Sequence, residues 1–385
     1  MADRKKIIRT ATVPLSLDLF CRGLLRDLSS RYEIIALSSP LPELENIRKR
    51  EKVRTISVPM ARKIAPFSDL KSLFELIRIF RKERPDMVHS MTPKAGLLAM
   101  MAARMTRVPV RLHTFTGLVF PYATGLRRSL YRLTDRVTAS CATHVVPEGE
   151  GVKADLVRFG ITRKPLEVLG YGNVRGIDLK HYDRTPDVMA EADGIRRRFG
   201  IGQDSFTFVF IGRFDVDKGL GELLQAFTYL LGDHPESHLL LVGGTEDGTA
   251  TLPAEILGMM DSSPRIHLSD GWVEDVRPWL AAADVLVHPS YREGFPNVVI
   301  EGGAMGLPSI VTDINGSREI ISDGMNGLVV PPKDSSALCN AMKRLAEEPA
   351  LTASLAGTAR MTVSERYEQG YVRNCLRAYY HRIMK

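Results

Sequence analysis

Short runs of β-branched and aliphatic residues alternate with longer segments of helical period along almost the whole chain. In the first half the apolar runs at residues 6–13, 32–37, 53–58, 87–90, 110–113, 144–146 and 166–169 predict strands. The clearest helix between them covers 68–82, where Leu70, Leu73, Phe74, Ile77 and Phe80 share one stripe and Arg78, Arg81 and Lys82 lie partly on the other. The stretch 170–185 is rich in glycine and charge, has no sustained period and reads as a hinge. Beyond it the alternation restarts, with strands expected at 206–211, 238–242, 266–268, 285–288, 309–311 and 327–330. Helices are expected at 221–231, 253–260, 274–282, 297–305, 317–322 and 335–347, the last capped by Asp334. Strand and helix in strict alternation build parallel sheets with crossover helices, so the expected class is α/β. The working architecture is two doubly wound domains, residues 1–180 and 181–362, followed by a helical segment 363–385 that crosses back to brace the first. Ligands are expected at the carboxyl ends of the strands and in the cleft between the domains.

The length of 385 residues agrees with two cores rather than one. With 44% hydrophobic and 25% charged residues, the composition excludes a disordered or collagenous chain. The net charge of +7 is unevenly divided: residues 1–180 carry 33 Lys and Arg against 17 Asp and Glu, and residues 181–385 carry 19 against 28. A basic first half suggests an anionic partner, although an Arg-rich solvated surface gives the same count. Cys21, Cys141, Cys339 and Cys375 are widely spaced and form no CxxC pair, which points to neither zinc nor disulfides and to a reducing cytoplasm. Arg9 and Asp18 interrupt the apolar N-terminal stretch, so a secretory signal is not expected. The longest uncharged run, 112–126, is broken by Gly117, Pro121 and Gly125 and falls short of the roughly 20 residues that span a bilayer.

Candidate chemistry gathers in the second half. The strand ending at Ile211 runs into Gly212, Arg213, Phe214, Asp215, Val216, Asp217, Lys218 and Gly219. A glycine at a strand end, two cations five residues apart and a following helix start make a cradle for a diphosphate, or an ordinary βα loop with two surface charges. A second cluster, His288 to Asn297, leads into the helix at 297–305, with Pro296 expected at its first position and the N–H groups of Asn297, Val298 and Val299 facing a ligand. Glu293 precedes that helix and Glu301 lies within it, where a carboxylate can accept two ribose hydroxyls; a helix-dipole carboxylate and a buried cap partner are the plainer readings. Gly302, Gly303 and Gly306 lower helix propensity and argue for close backbone packing. A third loop, Thr312 to Glu319, borders the same strand ends and is expected to open a helix with a Ser cap.

Taken together, GRFDVDKG, LLLVGG, SYREGFPNVVIEGGAMGLPSIVTD and NGSREIISDGMNGLVVPP resemble retaining glycosyltransferases of family 4, which have the GT-B fold of two Rossmann-like domains facing across a cleft. The two glutamates of that family's signature, separated by seven residues, are matched by Glu293 and Glu301. The resemblance covers nearly all of 206–347, and over the first half it is to members that build capsule, exopolysaccharide or lipid-linked oligosaccharide. It implies that Arg213 and Lys218 neutralise a nucleotide diphosphate, that Glu301 holds the ribose and that Glu293 approaches the transferred sugar. It further implies that Gly212 and backbone groups from Phe295 through Pro296 and Asn297 to Val298 contact the donor, and that the base stacks near Trp272 and Val273. Relatives often carry a glycine-rich loop after the first strand, where this chain has Val13, Pro14, Leu15, Ser16 and Leu17, and a histidine near the donor sugar. Either His113 or Thr116 fits that histidine's place, and His113 reads equally as a satisfied strand-end residue. Lys94 and Thr116 are the acceptor-side candidates.

The expected reaction is transfer from a nucleotide sugar, a UDP-sugar first, to a saccharide or polyprenyl-diphosphate-linked acceptor with retention. Two cations take the place a metal ion would fill, no DxD motif occurs in a suitable setting, and neither metal nor cofactor is expected. The acceptor is expected on the basic first domain, where Arg104, Arg107, Arg111, Arg127, Arg128 and Arg132 flank the run 112–126; Leu118, Val119, Phe120 and Tyr122 would then insert shallowly at an anionic membrane, on the cytoplasmic side. An ordered loop with no lipid contact is the alternative. A sugar-nucleotide epimerase shares the two-domain plan but does not need this arrangement of cations and glutamates. An oxidoreductase would want GxGxxG after its first strand, and a nucleic-acid partner is opposed by the acidic second half.

Overall fold

The computed structural model describes residues 4–61, 65–245 and 252–385. The chain divides into two compact units, Met1–Gly176 with Gly370–Lys385, and Ile177–Gln369.

Unit 1 runs β1 (Lys6–Thr10), α1 (Pro14–Cys21), α2 (Leu24–Ser29), β2 (Glu33–Ser38), α3 (Glu43–Glu51), β3 (Arg54–Ser57), α4 (Pro66–Glu83), β4 (Met87–Ser90), α5 (Pro93–Met105), β5 (Val110–Phe115), α6 (Gly125–Cys141), β6 (His144–Pro147) and α7 (Glu150–Arg158). Its sheet is parallel, in the order β3-β2-β1-β4-β5-β6. The pleat sends alternate residues to opposite cores. Ile8 of β1 joins Leu76, Phe80 and Ala99 beneath α4 and α5, whereas Ile7 joins Leu17, Leu25 and Tyr380 on the other face. The run at 166–169 is not a strand: Leu166 makes one bridge to Val145, and Gly170 with φ of +60° turns the chain away. Leu118 and Phe120 are buried in this unit's core, so they are not available for the shallow insertion expected of them.

Unit 2 begins with α8 (Pro186–Arg198), then β7 (Thr207–Ile211), α9 (Leu220–Asp233), β8 (His238–Val242), α10 (Ala254–Met260), β9 (Ile266–Leu268), α11 (Arg277–Ala281), β10 (Val285–His288), α12 (Asn297–Ala304), β11 (Ser309–Thr312), α13 (Ser317–Ile320), β12 (Gly327–Val330), α14 (Ser335–Glu347) and α15 (Pro349–Tyr367). Its parallel sheet, β12-β11-β10-β7-β8-β9, repeats the topology of the first. In each sheet the strand order reverses once, between β1 and β4 and between β7 and β10, the place where doubly wound sheets leave a crevice beyond the strand ends. Asp334 caps α14, accepting from Ala337 N at 2.8 Å. On α12 the two packed glycines have separate partners: a Cβ would lie 2.8 Å from Leu286 Cδ2 at Gly302 and 2.7 Å from Val363 Cγ2 at Gly303. Gly306 is needed for a different reason, a φ of +75° just past the helix end.

The C-terminal segment is two helices rather than one. Glu368, extended at φ −55° and ψ 134°, ends α15, and α16 (Gln369–Ile383) follows. Tyr367 lies in a core of unit 2, while Tyr379, Tyr380 and Met384 lie in a core of unit 1. Ile177 N donates to Tyr367 O at 2.8 Å and Gln369 N to Ile177 O at 2.9 Å, so the two chain crossings run side by side. In unit 1 Tyr380 receives a hydrogen bond from the buried Arg9 guanidinium at 2.6 Å and contacts His89 Nδ1 at 2.5 Å.

Candidate active site

The site grows from the ends of β7 and β10, which flank the switch point of the second sheet. After β7, Gly212 N donates to Val242 O at 3.0 Å, and a Cβ on Gly243 (φ +141°) would fall 1.9 Å from Gly212 O. Only glycine permits that approach of the two strand ends. Asp215 then caps a short 3₁₀ turn, Val216–Lys218, by accepting from Asp217 N at 3.2 Å. Gly219, at φ +71°, closes the turn against the loop after β10, with a Cβ position 2.1 Å from Pro289 O.

Several bonds fasten these two loops together. Asp217 O accepts from Tyr291 N at 2.8 Å and from Ser290 Oγ at 3.2 Å, and the Arg292 guanidinium pairs with the Asp217 carboxylate at 2.7 Å. Tyr291 O–H donates to Glu222 Oε1 at 2.5 Å while Lys333 Nζ stands 4.8 Å from the centre of its ring. The consequence is a short ion pair between residues far apart in sequence: Lys218 Nζ lies 2.5 Å from Glu293 Oε1. The same oxygen is 3.1 Å from His288 Nε2 at the end of β10.

Burial alone would raise the Glu293 carboxyl, but the Lys218 charge, followed by His288 and the Lys218 hydrogen bond, holds it well below the usual carboxylate range. The carboxylate is therefore an acceptor throughout the neutral range, and His288 presents Nε2–H to it. His288 Nδ1 is buried with no hydrogen-bond partner among the described residues.

Pro296 is the N-cap of α12 rather than its first residue, and Asn297 and Val298 open the helix. Phe295 is buried edge-on to Tyr367, with ring centres 5.6 Å apart. Glu301 stands half-buried in α12, and Arg213 half-buried after β7. The third loop does border this region: a Cβ on Gly316 (φ +76°) would be 2.5 Å from Gly294 O. Gly316, not a serine, caps α13, and the Glu319 carboxylate accepts from its N–H at 3.2 Å. Ser269 Oγ accepts from Gly243 N at 3.0 Å and donates to Gly271 O at 2.7 Å, drawing the following loop to the end of β8. On that loop Trp272 is 75% exposed, and Val273 packs against the unit-2 core.

The remaining candidates belong to unit 1. His113 is buried beneath α5, its Nδ1 2.8 Å from Ser90 Oγ, and a Cβ on Gly96 would be 2.4 Å from its Cε1. Burial pushes its pKa down to about 3, so the ring is neutral. That environment is the one expected of a satisfied strand-end histidine. Thr116 follows β5 half-buried, and Lys94, in the first turn of α5, pairs with Asp69 at 2.7 Å. After β1, α1 starts at Pro14 with no side-chain cap. Sequence reasoning had not singled out His288, although it heads the cluster containing Glu293, nor the Asp217–Arg292 and Tyr291–Glu222 pairs; all depend on loops distant in sequence being brought together. Among the described residues no group of three or more His, Cys, Asp and Glu side chains is placed to hold a metal ion.

Two sequence families match the chain, one per half: "Glycosyl transferase 4-like domain" over residues 20–172 and "Glycosyl transferases group 1" over 205–348. The chain belongs to the group 1 glycosyltransferases and has the GT-B fold. Staphylococcus aureus CapM, described as a capsular polysaccharide biosynthesis glycosyltransferase, is 28% identical over 383 residues, covering 99% of this chain and 98% of CapM. An Escherichia coli UDP-Gal:alpha-D-GlcNAc-diphosphoundecaprenol alpha-1,3-galactosyltransferase is 28% identical over 309 residues, 78% of this chain and 77% of its own length. Anabaena HepE, solved in complex with UDP and with UDP-glucose, superposes with a TM-score of 0.81 at 17% identity, over 98% of this chain and 99% of its own. Family membership sets aside the epimerase reading.

Proposed function

We propose that the protein transfers a sugar from a UDP-sugar to a saccharide carried on a polyprenyl diphosphate, with retention at the anomeric carbon, in the synthesis of a bacterial surface polysaccharide. The observation that carries this reading is the Lys218–Glu293 pair with His288 at the β7/β10 switch point. Support for the donor comes from the UDP and UDP-glucose complexes of HepE, support for the acceptor class from the diphosphoundecaprenol substrate of the E. coli galactosyltransferase, and support for the polysaccharide setting from CapM.

In this reading Lys218 and Arg213 face the diphosphate beside Gly212 and the start of α12, where backbone N–H groups from Asn297 and Val298 add to the field. Glu301 accepts the ribose hydroxyls, and the base lies by Trp272 and Val273. Glu293, ionised by its neighbours, accepts hydrogen bonds from the transferred sugar and offsets the positive charge that develops there; it is not a proton donor. The bond from the anomeric carbon to the phosphate oxygen breaks as the bond to the acceptor oxygen forms on the same face, and the acceptor proton passes to the departing phosphate. Lys94 and Thr116 are assigned to the acceptor side, and the reaction to the cytoplasmic face of the membrane. His113, neutral and enclosed, receives no part in the proton transfer.

The test is a thermal-shift screen of the whole chain against UDP-, GDP-, ADP- and dTDP-sugars, followed by product analysis with the best donor. The expected result is selective stabilisation by a UDP-sugar, by about 3 kcal/mol at a hundredfold excess over Kd, and an α-linked product from an α-linked donor. Stabilisation by none of them would overturn the reading.

A further inference from the structure

We propose that the outer face of α4 and α6 docks on a bilayer containing anionic phospholipid. Both helices pack on α5, so the three form one layer over one face of the first sheet, and α4 and α6 start where the parallel strands end.

At 100° per residue, Phe67, Leu70, Lys71, Phe74, Arg78 and Arg81 of α4 fall within one stripe about 100° wide. All six are exposed, Phe67 92% and Phe74 62%. The stripe is apolar in the first half of the helix and cationic in the second. The opposite face, Leu73, Leu76, Ile77 and Phe80, fills the core and accounts for the fold's need of this helix. Three large exposed hydrophobics on one helix therefore have no role inside the unit. α6 exposes a leucine stripe of its own, with Leu126 at 91% and Leu133 at 57% exposed and Leu130 beside them, and Arg127 and Arg128 are exposed in its first turn, off that stripe.

Charge identifies the occupant. Lys71, Arg78, Arg81, Arg127 and Arg128 form no ion pair among the described residues. The acids of α4 lie off the stripe: Asp69 is held by Lys94 at 2.7 Å, Glu83 by Arg54 at 2.9 Å and Lys6 at 3.2 Å, and Glu75 sits on the flank. A second copy bound through the same patch would set these cations against themselves. An anionic headgroup layer over an acyl boundary matches both halves of the stripe, cations at the phosphates and Phe67, Leu70 and Phe74 just beneath. The cations first expected to do this serve other ends in part: Arg111 donates to Cys141 O and Val108 O, both at 2.7 Å, and Arg132 to Phe159 O at 2.8 Å. Docking requires no nucleotide sugar, so its failure would leave the donor site standing.

The experiment is flotation of the full chain with sealed vesicles of phosphatidylglycerol and phosphatidylcholine, and of phosphatidylcholine alone, at low and high salt. Two triple variants are compared, Phe67→Ser/Leu70→Ser/Phe74→Ser and Lys71→Glu/Arg78→Glu/Arg81→Glu, with Arg197→Glu in unit 2 as a charge control. The wild type and the control should float with the anionic vesicles, less at high salt, and each triple should bind them roughly tenfold or more weakly with an unchanged Tm. Wild-type protein left behind by anionic vesicles, or either triple floating like the wild type, would overturn the proposal. So would a wild-type dimer in sedimentation that the apolar triple dissociates, since the face would then be covered by a second copy.

Discussion

His288 contributes to the site through another residue. It donates to the carboxylate oxygen of Glu293 that also pairs with Lys218, and so fixes where that oxygen stands before a donor arrives. In the proposed reaction it acts as a positioning residue, and its effect should be separable from a packing effect. His288→Leu should lower kcat about tenfold, with a smaller change in donor KM, and should move the acid limb of the rate profile to higher pH, because one of the bonds holding the Glu293 carboxyl down is lost. His288→Gln, which keeps an N–H donor, should restore most of the rate. Unchanged kcat and acid limb in the Leu variant would contradict the assignment. Lys218 and Glu293 were legible as separate candidates from their loops, but their contact was not: it depends on Gly219 fitting against Pro289 and on Asp217 accepting from Ser290 and Tyr291.

Among the elements, the strands at 87–90, 238–242, 285–288 and 327–330 stand where the apolar runs predicted them, since a buried parallel strand draws on a mostly apolar segment, with His89, Ser90, His238 and His288 as buried polar residues at or near its ends. Helices were less legible where tertiary contacts decide. α8 buries only Val188 and Ala192, too little for a period to show, although Thr185 caps it ahead of Pro186. The helical pattern of 363–384 continues through a real break, because Tyr367 is required by one core and Tyr380 by another. α6 carries a further consequence. Asp135 lies on its buried face, and burial raises the carboxyl to about 7. A raised folded pKa means that stability is fully present below the ordinary carboxylate range and is lost as pH rises through about 7. Asp135→Asn should therefore raise Tm at pH 8, by roughly 2–4 °C for each kcal/mol recovered, and raise it clearly less at pH 5, part-way through the window between the ordinary carboxylate value and about 7. An equal effect at the two pH values would contradict the sign.

For the whole molecule, the two sheets share one strand order, and at the switch point of the second the Lys218–Glu293 pair meets His288 beside the start of α12. The division of charge follows the same line. On the proposed reading the acidic second half offers an anion a few placed cations, whereas in the basic first half Lys71, Arg78 and Arg81 stand exposed on one helix face with no ion pair among the described residues. Net charge alone pointed to anionic partners without saying which; the positions of the cations separate a phosphate seat from a surface. The phosphate seat is the central claim, and its direct measurement is the rate of UDP release from a UDP-sugar by wild type and by Lys218→Ala. A loss of about 10²–10³ in kcat with the folded state intact is the predicted result, and wild-type turnover in the variant would contradict the account.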